Sequence, residues 1–411
     1  MFHRFRRKRR PYPDDRGPLR TLFVITSMPV GGAETLLVEL VRRMDRSRFI
    51  PELCCLKEIG PLGEVLSREV TTISRVIRHK YDFRVLRRLT GHLRETEIDA
   101  VVTVETGDAM FWGRLAARLA GVPVICSALH TTGYPNRIER LNRMLAPITD
   151  AFIAVAEPHG RYLVDEGGCP AHKVRVIPNG VDVERFHPRW PSEALERELG
   201  LKPGAPVVGV VAALRPEKNH ALFLEAAAHV RRQLPDARFV IVGDGPERAN
   251  IERRAAELSL DVAVHLLGTR SDVPDVLSLF DVFLLTSHME ANPVSLLEAM
   301  ASEIPVVAPR IGSVPETVID GRTGLLSEPG DAEGTAQKVL ALLADRPRAE
   351  TMGRAGREAV IGRWSVERMV AGYEELIAGI YASKAEEPLA RRPAAAETPG
   401  EAAPQHVDVT A

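Results

Sequence analysis

The chain has 411 residues, a length that predicts two or three domains, each large enough for its own buried core. Hydrophobic residues make up 45% and charged residues 27% of the chain, which excludes an intrinsically disordered protein. The formal net charge is -1, so the overall charge gives no reason to expect a polyanionic partner such as a nucleic acid.

The first ten residues contain six Arg and Lys, and "PYPDDRGPLR" follows them in place of the apolar segment of a signal peptide. Apolar runs such as "APVVGVVAAL" are shorter than the roughly 20 residues that a membrane-spanning helix needs. The four cysteines show no metal-ligand spacing, which favours reduced thiols. We therefore expect a cytoplasmic protein.

From Thr21 onward, short apolar runs alternate with segments of helical periodicity. The runs that predict strands in the first half are "TLFVITS", "PELCCL", "DAVVTVE", "VPVICSAL", "DAFIAVA" and "KVRVIPN". A stretch rich in Pro, Gly and charge near residues 185–203 predicts a linker, after which the alternation restarts. The strands predicted in the second half are "PVVGVVAAL", "ARFVIVGD", "VAVHLLG", "DVFLLTS" and "IPVVAP". This pattern predicts an α/β protein with two doubly wound parallel sheets.

After Trp364, an apolar stripe of helical period predicts a helix capped by Ser365, and this stripe must be buried against something. Beyond Ser383 the chain is rich in Ala, Pro and Glu, a composition that predicts disorder. The predicted segments are a basic disordered arm (1–19), a first domain (20–188), a linker (189–203), a second domain (204–364), a helix (365–382) and a disordered tail (383–411).

Polar and glycine residues follow several of the predicted strands, where ligands bind in doubly wound folds. The four loops are "PVGGAE" (Gly31, Gly32, Glu34), "RPEKN" (Arg215, Lys218), "GDGPER" (Gly245) and "EANP" (Glu290). Two cations in "RPEKN" can neutralise a diphosphate without a metal. The alternative is a solvated loop, because Arg and Lys are common on surfaces.

The stretch "MEANPVSLLEAMAS" places two carboxylates, Glu290 and Glu298, on either side of a predicted helix start. Asn292 is a good N-cap and Pro293 a good first helical residue, so the first N–H groups of this helix would face an anion. A carboxylate accepts hydrogen bonds from two neighbouring hydroxyls, so each Glu could hold one sugar of a nucleotide-sugar. Alternatively, Glu290 stabilises the helix dipole and Glu298 is an exposed charge.

Three further signals are less specific. Glu34 suits the first turn of a helix, Pro246 suits the start of another, and a lone His130 after a strand is more often structural than catalytic. The sequence has no G-x-G-x-x-G after a strand and no Walker motif, which disfavours a dehydrogenase and a Walker-type ATPase. It also has no D-x-D pair to hold a divalent metal on a diphosphate.

The E-x7-E pattern from Glu290 to Glu298 resembles the retaining glycosyltransferases of family four, which have the GT-B fold. Supporting motifs occur in the family's order: "PVGGAE", "IPNGVDVERF", "RPEKN", "VGDGPER" and "PETVIDGRTGLL". The resemblance covers about residues 20–382. It implies two Rossmann-like domains facing a cleft, with the C-terminal helix crossing back to the first domain.

The resemblance also implies roles for single residues. Arg215 and Lys218 would stabilise the departing diphosphate, Glu298 would hold the ribose, and Glu290 would lie near the transferred sugar. The remaining matches are Gly32, Gly245, His130 and the backbone around Ala291, Asn292, Pro293 and Val294. Many relatives read E-G-F-G where this chain reads E-A-N-P, so the contacts of Asn292 are the least transferable.

The implied reaction is metal-independent transfer of a sugar from a nucleoside diphosphate to a glycan or lipid-linked acceptor, with retention and without a cofactor. Such a reaction belongs to the synthesis of a surface polysaccharide or a glycolipid. The alternatives are a GT-B epimerase or phosphorylase, and a non-catalytic subunit that binds nucleotide-sugars. The cations of residues 3–10 could hold the enzyme on the inner face of the plasma membrane, or form a solvated tail. No aromatic or folded motif accompanies these cations, which disfavours nucleic acid as a partner.

Overall fold

The computed structural model describes residues 17–79, 82–105, 107–132, 136–202 and 204–386. The basic arm at residues 3–10 and the predicted tail from residue 387 onward lie outside the described residues. Within the part of the chain that is described, no helix is both long enough and apolar enough to cross a bilayer.

The described residues form two sheets in which all strand pairs are parallel. The first sheet contains β1 (Leu19–Ile25), β2 (Phe49–Cys55), β3 (Thr72–Ile73), β4 (Ala100–Val104), β5 (Val124–Ala128), β6 (Ala151–Ala154) and β7 (Val174–Val176). The second contains β8 (Val207–Val211), β9 (Arg238–Val242), β10 (Val264–Leu266), β11 (Val282–Leu284), β12 (Val306–Pro309) and β13 (Leu325–Ser327).

Helices connect these strands and cover both sheets. Those that follow strands of the first sheet are α1 (Gly32–Arg43), α2 (Gly60–Leu66), α3 (Arg84–Glu95), α4 (Asp108–Ala120), α5 (Asn136–Leu145) and α6 (Glu157–Asp165). The others are α7 (Glu193–Glu198), α8 (His220–Gln233), α9 (Arg248–Glu257), α10 (Val273–Leu277), α11 (Val294–Ala301), α12 (Val314–Thr317), α13 (Ala332–Ala344), α14 (Arg346–Arg363) and α15 (Val366–Glu386).

The strand orders are β3-β2-β1-β4-β5-β6-β7 and β10-β9-β8-β11-β12-β13. In each sheet the direction of winding reverses beside the first strand, between β1 and β4 and between β8 and β11. Ligands bind at the carboxyl ends of strands at such switch points. The prediction of two doubly wound parallel sheets is confirmed. We call the part built on β1–β7 the first lobe and the part built on β8–β13 the second lobe.

Both faces of the first sheet are buried. Cys54 packs in the core on one face, whereas Cys55 packs in the core on the other, as the alternation of side chains along β2 requires. All four cysteines are buried and unpaired. The segment predicted to be a linker contains α7, and Leu195 of this helix is buried in the core of the second lobe. Residues 193–198 therefore pack as part of that lobe.

Helix α15 packs on the first lobe, where Met369, Tyr373 and Ile377 join the same core as β1 and α1. Arg368 N donates to Ser365 Oγ (3.4 Å), so the predicted N-cap is confirmed. The predicted end at residue 382 is wrong, because the helix continues to Glu386. Lys384 explains the extension: its Nζ donates to Pro123 O (2.7 Å) and pairs with Asp150 in the first lobe.

Within residues 17–386 the chain passes between the lobes twice, and the two crossing segments are hydrogen-bonded to each other. Val181 N donates to Trp364 O (2.8 Å), and Val366 N donates to Val181 O (3.0 Å). A Cβ on Gly180 would lie 2.5 Å from Val366 Cα, so only glycine allows the segments to approach this closely.

The burial of α15 predicts that Ile377→Ala destabilises the protein. Ile377 is fully buried, and its replacement should lower the free energy of unfolding by about 2–5 kcal/mol through lost burial and the cavity left behind. Urea unfolding measures this change. The matched control is Ile361→Ala on α14, where the side chain is 45% exposed and the change should stay within about 0.5 kcal/mol. Equal effects of the two substitutions would contradict the packing of α15.

Candidate active site

The loop after β8 carries Arg215 and Lys218, and local chemistry fixes its path. Residues Pro216–Lys218 form one 3-10 turn, and Asn219 follows in the left-handed conformation (φ 50°). The side chain of Asn219 accepts a hydrogen bond from Leu222 N (3.3 Å) and caps α8. The turn therefore holds the two cations at the carboxyl end of β8, next to the switch point.

Glu290 lies in the loop after β11 and forms an ion pair with Lys218. Lys218 Nζ and Ser287 Oγ each donate to Glu290 Oε1 at 2.7 Å. Glu290 is 7% exposed and Ser287 2%, so the carboxylate is buried but paired. No described group donates to Glu290 Oε2, so this oxygen is available to accept a hydrogen bond. The structure thus joins two of the predicted site residues and adds Ser287, which the sequence analysis did not identify.

Arg215 is the more accessible cation of the loop. Its side chain is 62% exposed, and within the described structure its one ion pair is a 3.9 Å contact with Glu217. Its guanidinium is therefore available to an anion. Burial raises the pKa of Glu34 in the first lobe, and a hydrogen bond from its own backbone N–H and the charge of Arg215 act in the opposite direction. The loop of Glu34 and the loop of Arg215 therefore face each other across the cleft.

The glycine loop of the first lobe also approaches α11. Gly32 begins α1, and a Cβ at this position would lie 3.8 Å from Val294 Cγ2 at the start of α11. Neither helix has a side-chain N-cap. Two helix starts, one from each lobe, thus meet near the ion pair of Lys218 and Glu290, and helix starts bind anions. At the start of α1, the carboxylate of Glu34 already accepts from its own backbone N–H.

The predicted cap of α11 is wrong. The helix begins at Val294, and Pro293 precedes it with φ −72° and ψ 112° instead of forming its first residue. Asn292 does not cap the helix, because its side chain points to α12 and its Nδ2 lies 3.5 Å from Thr317 Oγ1. Its Oδ1 is buried without a partner among the described residues. Asn292 O accepts a hydrogen bond from Asn179 Nδ2 (2.9 Å), which links the loop after β11 to the segment after β7.

Glu298 lies one turn inside α11 and is half-buried, so it is not the exposed charge of the alternative interpretation. Burial raises its pKa to about 7, against the opposing effect of the Arg185 charge. A carboxyl group held in a poorly solvated position without an ion pair is costly for stability, and such positions are common at functional sites.

His130 follows β5 and has a pKa lowered to about 4, first by burial and then by the nearby His159. It is therefore neutral at physiological pH, and its Nδ1 is buried without a partner in the described structure. Asn179 lies within hydrogen-bonding range of its ring. Asn179 thus contacts both His130 of the first lobe and Asn292 of the second lobe. Its only sequence signal is its position in "IPNGVD".

Gly245 has a structural reason to be glycine, because a Cβ there would lie 2.5 Å from Leu214 O. Glu247 N donates to the same oxygen (3.0 Å), so the "GDGP" loop packs tightly on the loop of Arg215. The predicted helix start at Pro246 is wrong, because α9 begins at Arg248. Among the residues described, no group of three His, Cys, Asp or Glu is placed to hold a metal ion.

Comparison with known proteins identifies the family of the chain. Residues 191–359 match the family "Glycosyl transferases group 1", and residues 30–185 match "Glycosyltransferase Family 4". The chain is 32% identical to the putative glycosyltransferase EpsF of Bacillus subtilis over 83% of this chain and 93% of that protein. It is 28% identical to the UDP-Gal:alpha-D-GlcNAc-diphosphoundecaprenol alpha-1,3-galactosyltransferase of Escherichia coli, over 87% of this chain and 96% of that protein.

Another relative is the GDP-mannose-dependent alpha-(1-6)-phosphatidylinositol monomannoside mannosyltransferase of Mycobacterium tuberculosis, 32% identical over 88% of this chain and 98% of that protein. Among solved structures, Anabaena Alr3699/HepE in complex with UDP and glucose superimposes with a TM-score of 0.77 at 21% identity, covering 88% of this chain and all of that one. At this identity the likeness shows the fold, which is GT-B. The extent of the sequence similarity decides the classification: this chain is a glycosyltransferase of family 4.

Proposed function

We propose that this glycosyltransferase moves a sugar from a nucleoside diphosphate to a glycan or lipid-linked acceptor, with retention at the anomeric carbon and without a metal ion. The observation that carries the proposal is the buried contact of Lys218 with Glu290 at the switch point of the second lobe, facing the Gly32 loop of the first. This contact supports the proposal because a cation that could bind the diphosphate would lie beside a carboxylate that could bind the sugar.

The diphosphate would lie between the two helix starts, those of α1 and α11. Arg215 can bind phosphate oxygens through its forked donors, and Lys218 can reach them while it stays near Glu290. Two protein cations and two sets of backbone N–H groups supply the charge neutralisation that a divalent metal provides in other transferases.

Each of the two acids would bind the hydroxyls of one of the two sugars in the donor. Glu290 Oε2 faces the transferred sugar, with Lys218 and Ser287 holding the other oxygen in place. Glu298, within α11, would hold the ribose hydroxyls. Neutral His130 would bind the sugar through hydrogen bonds only, because its lowered pKa makes it a poor general acid at pH 7. Gly245 shapes the donor pocket by allowing close packing of its loop.

In the proposed reaction the bond between the anomeric carbon and the leaving phosphate oxygen breaks as the acceptor oxygen approaches the same face of the sugar. The departing phosphate takes the proton of the acceptor hydroxyl, so no enzyme nucleophile is required. The negative charge that develops on the leaving diphosphate is stabilised by Arg215, Lys218 and the helix starts. The enzyme contributes positioning and electrostatic stabilisation.

The relatives support a lipid-linked acceptor. The name of the E. coli relative specifies a diphosphoundecaprenol acceptor, and that of the M. tuberculosis relative specifies a phosphatidylinositol mannoside. We propose the same class of acceptor for this chain, in the synthesis of a surface polysaccharide or glycolipid. Six Arg and Lys in the first ten residues would hold the enzyme on the anionic inner face of the plasma membrane.

The first prediction of the proposed function concerns metal-free donor binding. In EDTA, one nucleoside diphosphate among UDP, GDP and ADP should raise the melting temperature, because a ligand at 100 times its Kd adds about 2.7 kcal/mol of stability. Arg215→Ala should lower the affinity for this nucleotide by about 10- to 150-fold, as expected when a hydrogen bond to a charged group is lost. Arg322→Ala, an exposed cation elsewhere on the second lobe, is the control. A nucleotide shift that requires added Mg²⁺ would refute the metal-free site.

The second prediction concerns Glu290→Gln. The amide keeps the size of the side chain and can still accept from Ser287, but it removes the charge that faces the sugar. We expect kcat to fall by about 10²–10³-fold while the affinity for the free nucleoside diphosphate changes little. The assay follows release of nucleoside diphosphate with and without an acceptor. Release that never depends on an acceptor would instead favour an epimerase or a phosphorylase.

The third prediction concerns Glu298→Gln and pH. The ordinary pKa of 4.5 is raised to about 7 in the folded protein, so the carboxyl group reduces stability as pH rises between these values, by about 1.4 kcal/mol per pH unit. Glu298→Gln should therefore be more stable than the wild type by about 3 kcal/mol at pH 8, and by little at pH 4.5. Donor affinity should fall at both. A stability difference independent of pH would contradict the buried carboxyl.

A further inference from the structure

His159 is a second buried histidine of the first lobe, close to His130. It is the third residue of α6 and is 2% exposed. Its proximity contributes to the lowered pKa of His130. A buried imidazole is costly unless both ring nitrogens find partners, because each of them loses a hydrogen bond to water. The partners of His159 therefore indicate what the ring holds in place.

Both ring nitrogens of His159 contact the backbone. Val155 N donates to His159 Nδ1 (3.2 Å), so Nδ1 carries no proton. Burial lowers the pKa of His159 to about 4, against the opposing effect of the hydrogen bond to Thr131, so the ring is neutral at pH 7. The single proton is therefore on Nε2, which donates to Thr131 O (3.1 Å).

The hydrogen bond to Thr131 lies just beyond the end of the pairing between β5 and β6. Leu129 N donates to Ile153 O (3.0 Å), and strand pairing goes no further. Among the described residues, only His159 forms a hydrogen bond with the backbone of His130 or Thr131. The ring of His159 thus fixes the backbone on the carboxyl side of His130, where the sheet no longer does so.

The orientation of the His159 ring is itself fixed. Tyr162 lies three residues further along α6, and its ring is stacked with that of His159 at 20°, with centroids 6.2 Å apart. Tyr162 in turn packs against the core that contains Phe152 and Leu163. The imidazole is therefore held between its two backbone partners and an aromatic ring that belongs to the core.

The start of α6 is also tied to the second lobe. This helix has no side-chain N-cap of its own, and Glu157 N donates instead to Glu316 Oε2 (3.0 Å) of α12. Ser313 at the start of α12 donates to Ala291 O in the loop after β11. A continuous series of contacts thus runs from that loop through α12 and α6 to the ring of His159.

We propose that His159 is a positioning residue for the sugar transfer: its Nε2 holds Thr131 O and thereby sets the place of His130 relative to Glu290. This role rests on the proposed function, in which His130 and Glu290 bind the transferred sugar. His159 itself would contact neither donor nor acceptor. Loss of its hydrogen bond should leave the affinity for a free nucleoside diphosphate unchanged and slow the transfer, since a misplacement of about 1 Å can cost about 10²-fold in rate.

Two amide substitutions separate the two hydrogen bonds of the ring. The amide nitrogen of Gln can take the place of ring Nε2 and donate to Thr131 O, whereas the amide oxygen of Asn can take the place of ring Nδ1 and accept from Val155 N. We expect His159→Gln to keep kcat within about threefold of the wild type, and His159→Asn and His159→Leu to lower kcat by about 30- to 100-fold. The assay follows acceptor-dependent release of nucleoside diphosphate.

Thermal unfolding with and without the nucleoside diphosphate supplies the control for misfolding. His159→Gln and His159→Asn each keep one hydrogen bond and should have similar melting temperatures, so a difference in kcat between them does not reflect stability. The shift in melting temperature caused by the nucleoside diphosphate should equal that of the wild type in every variant. His172→Asn, at an exposed histidine of the same lobe, should change neither kcat nor this shift.

Equal losses of kcat in His159→Gln and His159→Asn, or losses that follow the melting temperatures, would assign the ring a packing role only and overturn the proposal. Wild-type kcat in His159→Leu would overturn it as well. A wild type that binds no nucleoside diphosphate, or that releases it without an acceptor, would instead refute the proposed function, and the role of His159 would fall with it.

Discussion

The buried ion pair of Lys218 with Glu290 is the contact on which the site depends. A carboxylate that is 93% buried is tolerated only with a close positive partner and a further hydrogen bond, which Lys218 and Ser287 provide. Because the two charges belong to loops that follow neighbouring strands, β8 and β11, their pairing fixes one loop relative to the other. The same interaction therefore stabilises the second lobe and positions the groups that would meet a donor.

Hydrogen bonds across the cleft fix the relative position of the two lobes around this pair. Asn179 donates to the backbone of Asn292 (2.9 Å), and Glu157 N at the start of α6 donates to Glu316 (3.0 Å) of α12. Glu316 also pairs with Arg363, and Ser313 at the start of α12 binds the backbone of Ala291. Helix α12 thus contacts both the loop after β11 and the first lobe. A displacement of either one would therefore shift the helix and, through it, the other.

The alternation of apolar runs and helical segments predicted both sheets apart from the short edge strands β3 and β13, because parallel strands buried on two faces have a local signature. The loops of Arg215 and Glu290 were also predictable, since they follow recognisable strands. Errors arose where a distant partner decided the outcome. Thr317 and Asn179 hold Asn292 away from the cap position, and Asp150 holds the end of α15 through Lys384. Ser287 was missed because only the fold reveals that its hydroxyl reaches Glu290.

The paired crossing segments have a mechanical consequence. Both covalent connections between the lobes pass through one place, where Val181 is hydrogen-bonded to Trp364 and Val366 and where Gly180 permits backbone contact. Two tethers at a common pivot allow the lobes to swing about an axis through that point but resist sliding and separation. Relative motion of the lobes is thereby reduced to rotation about this pivot, and the approach of Gly32 to Val294 shows how near the lobes already lie to each other at the site.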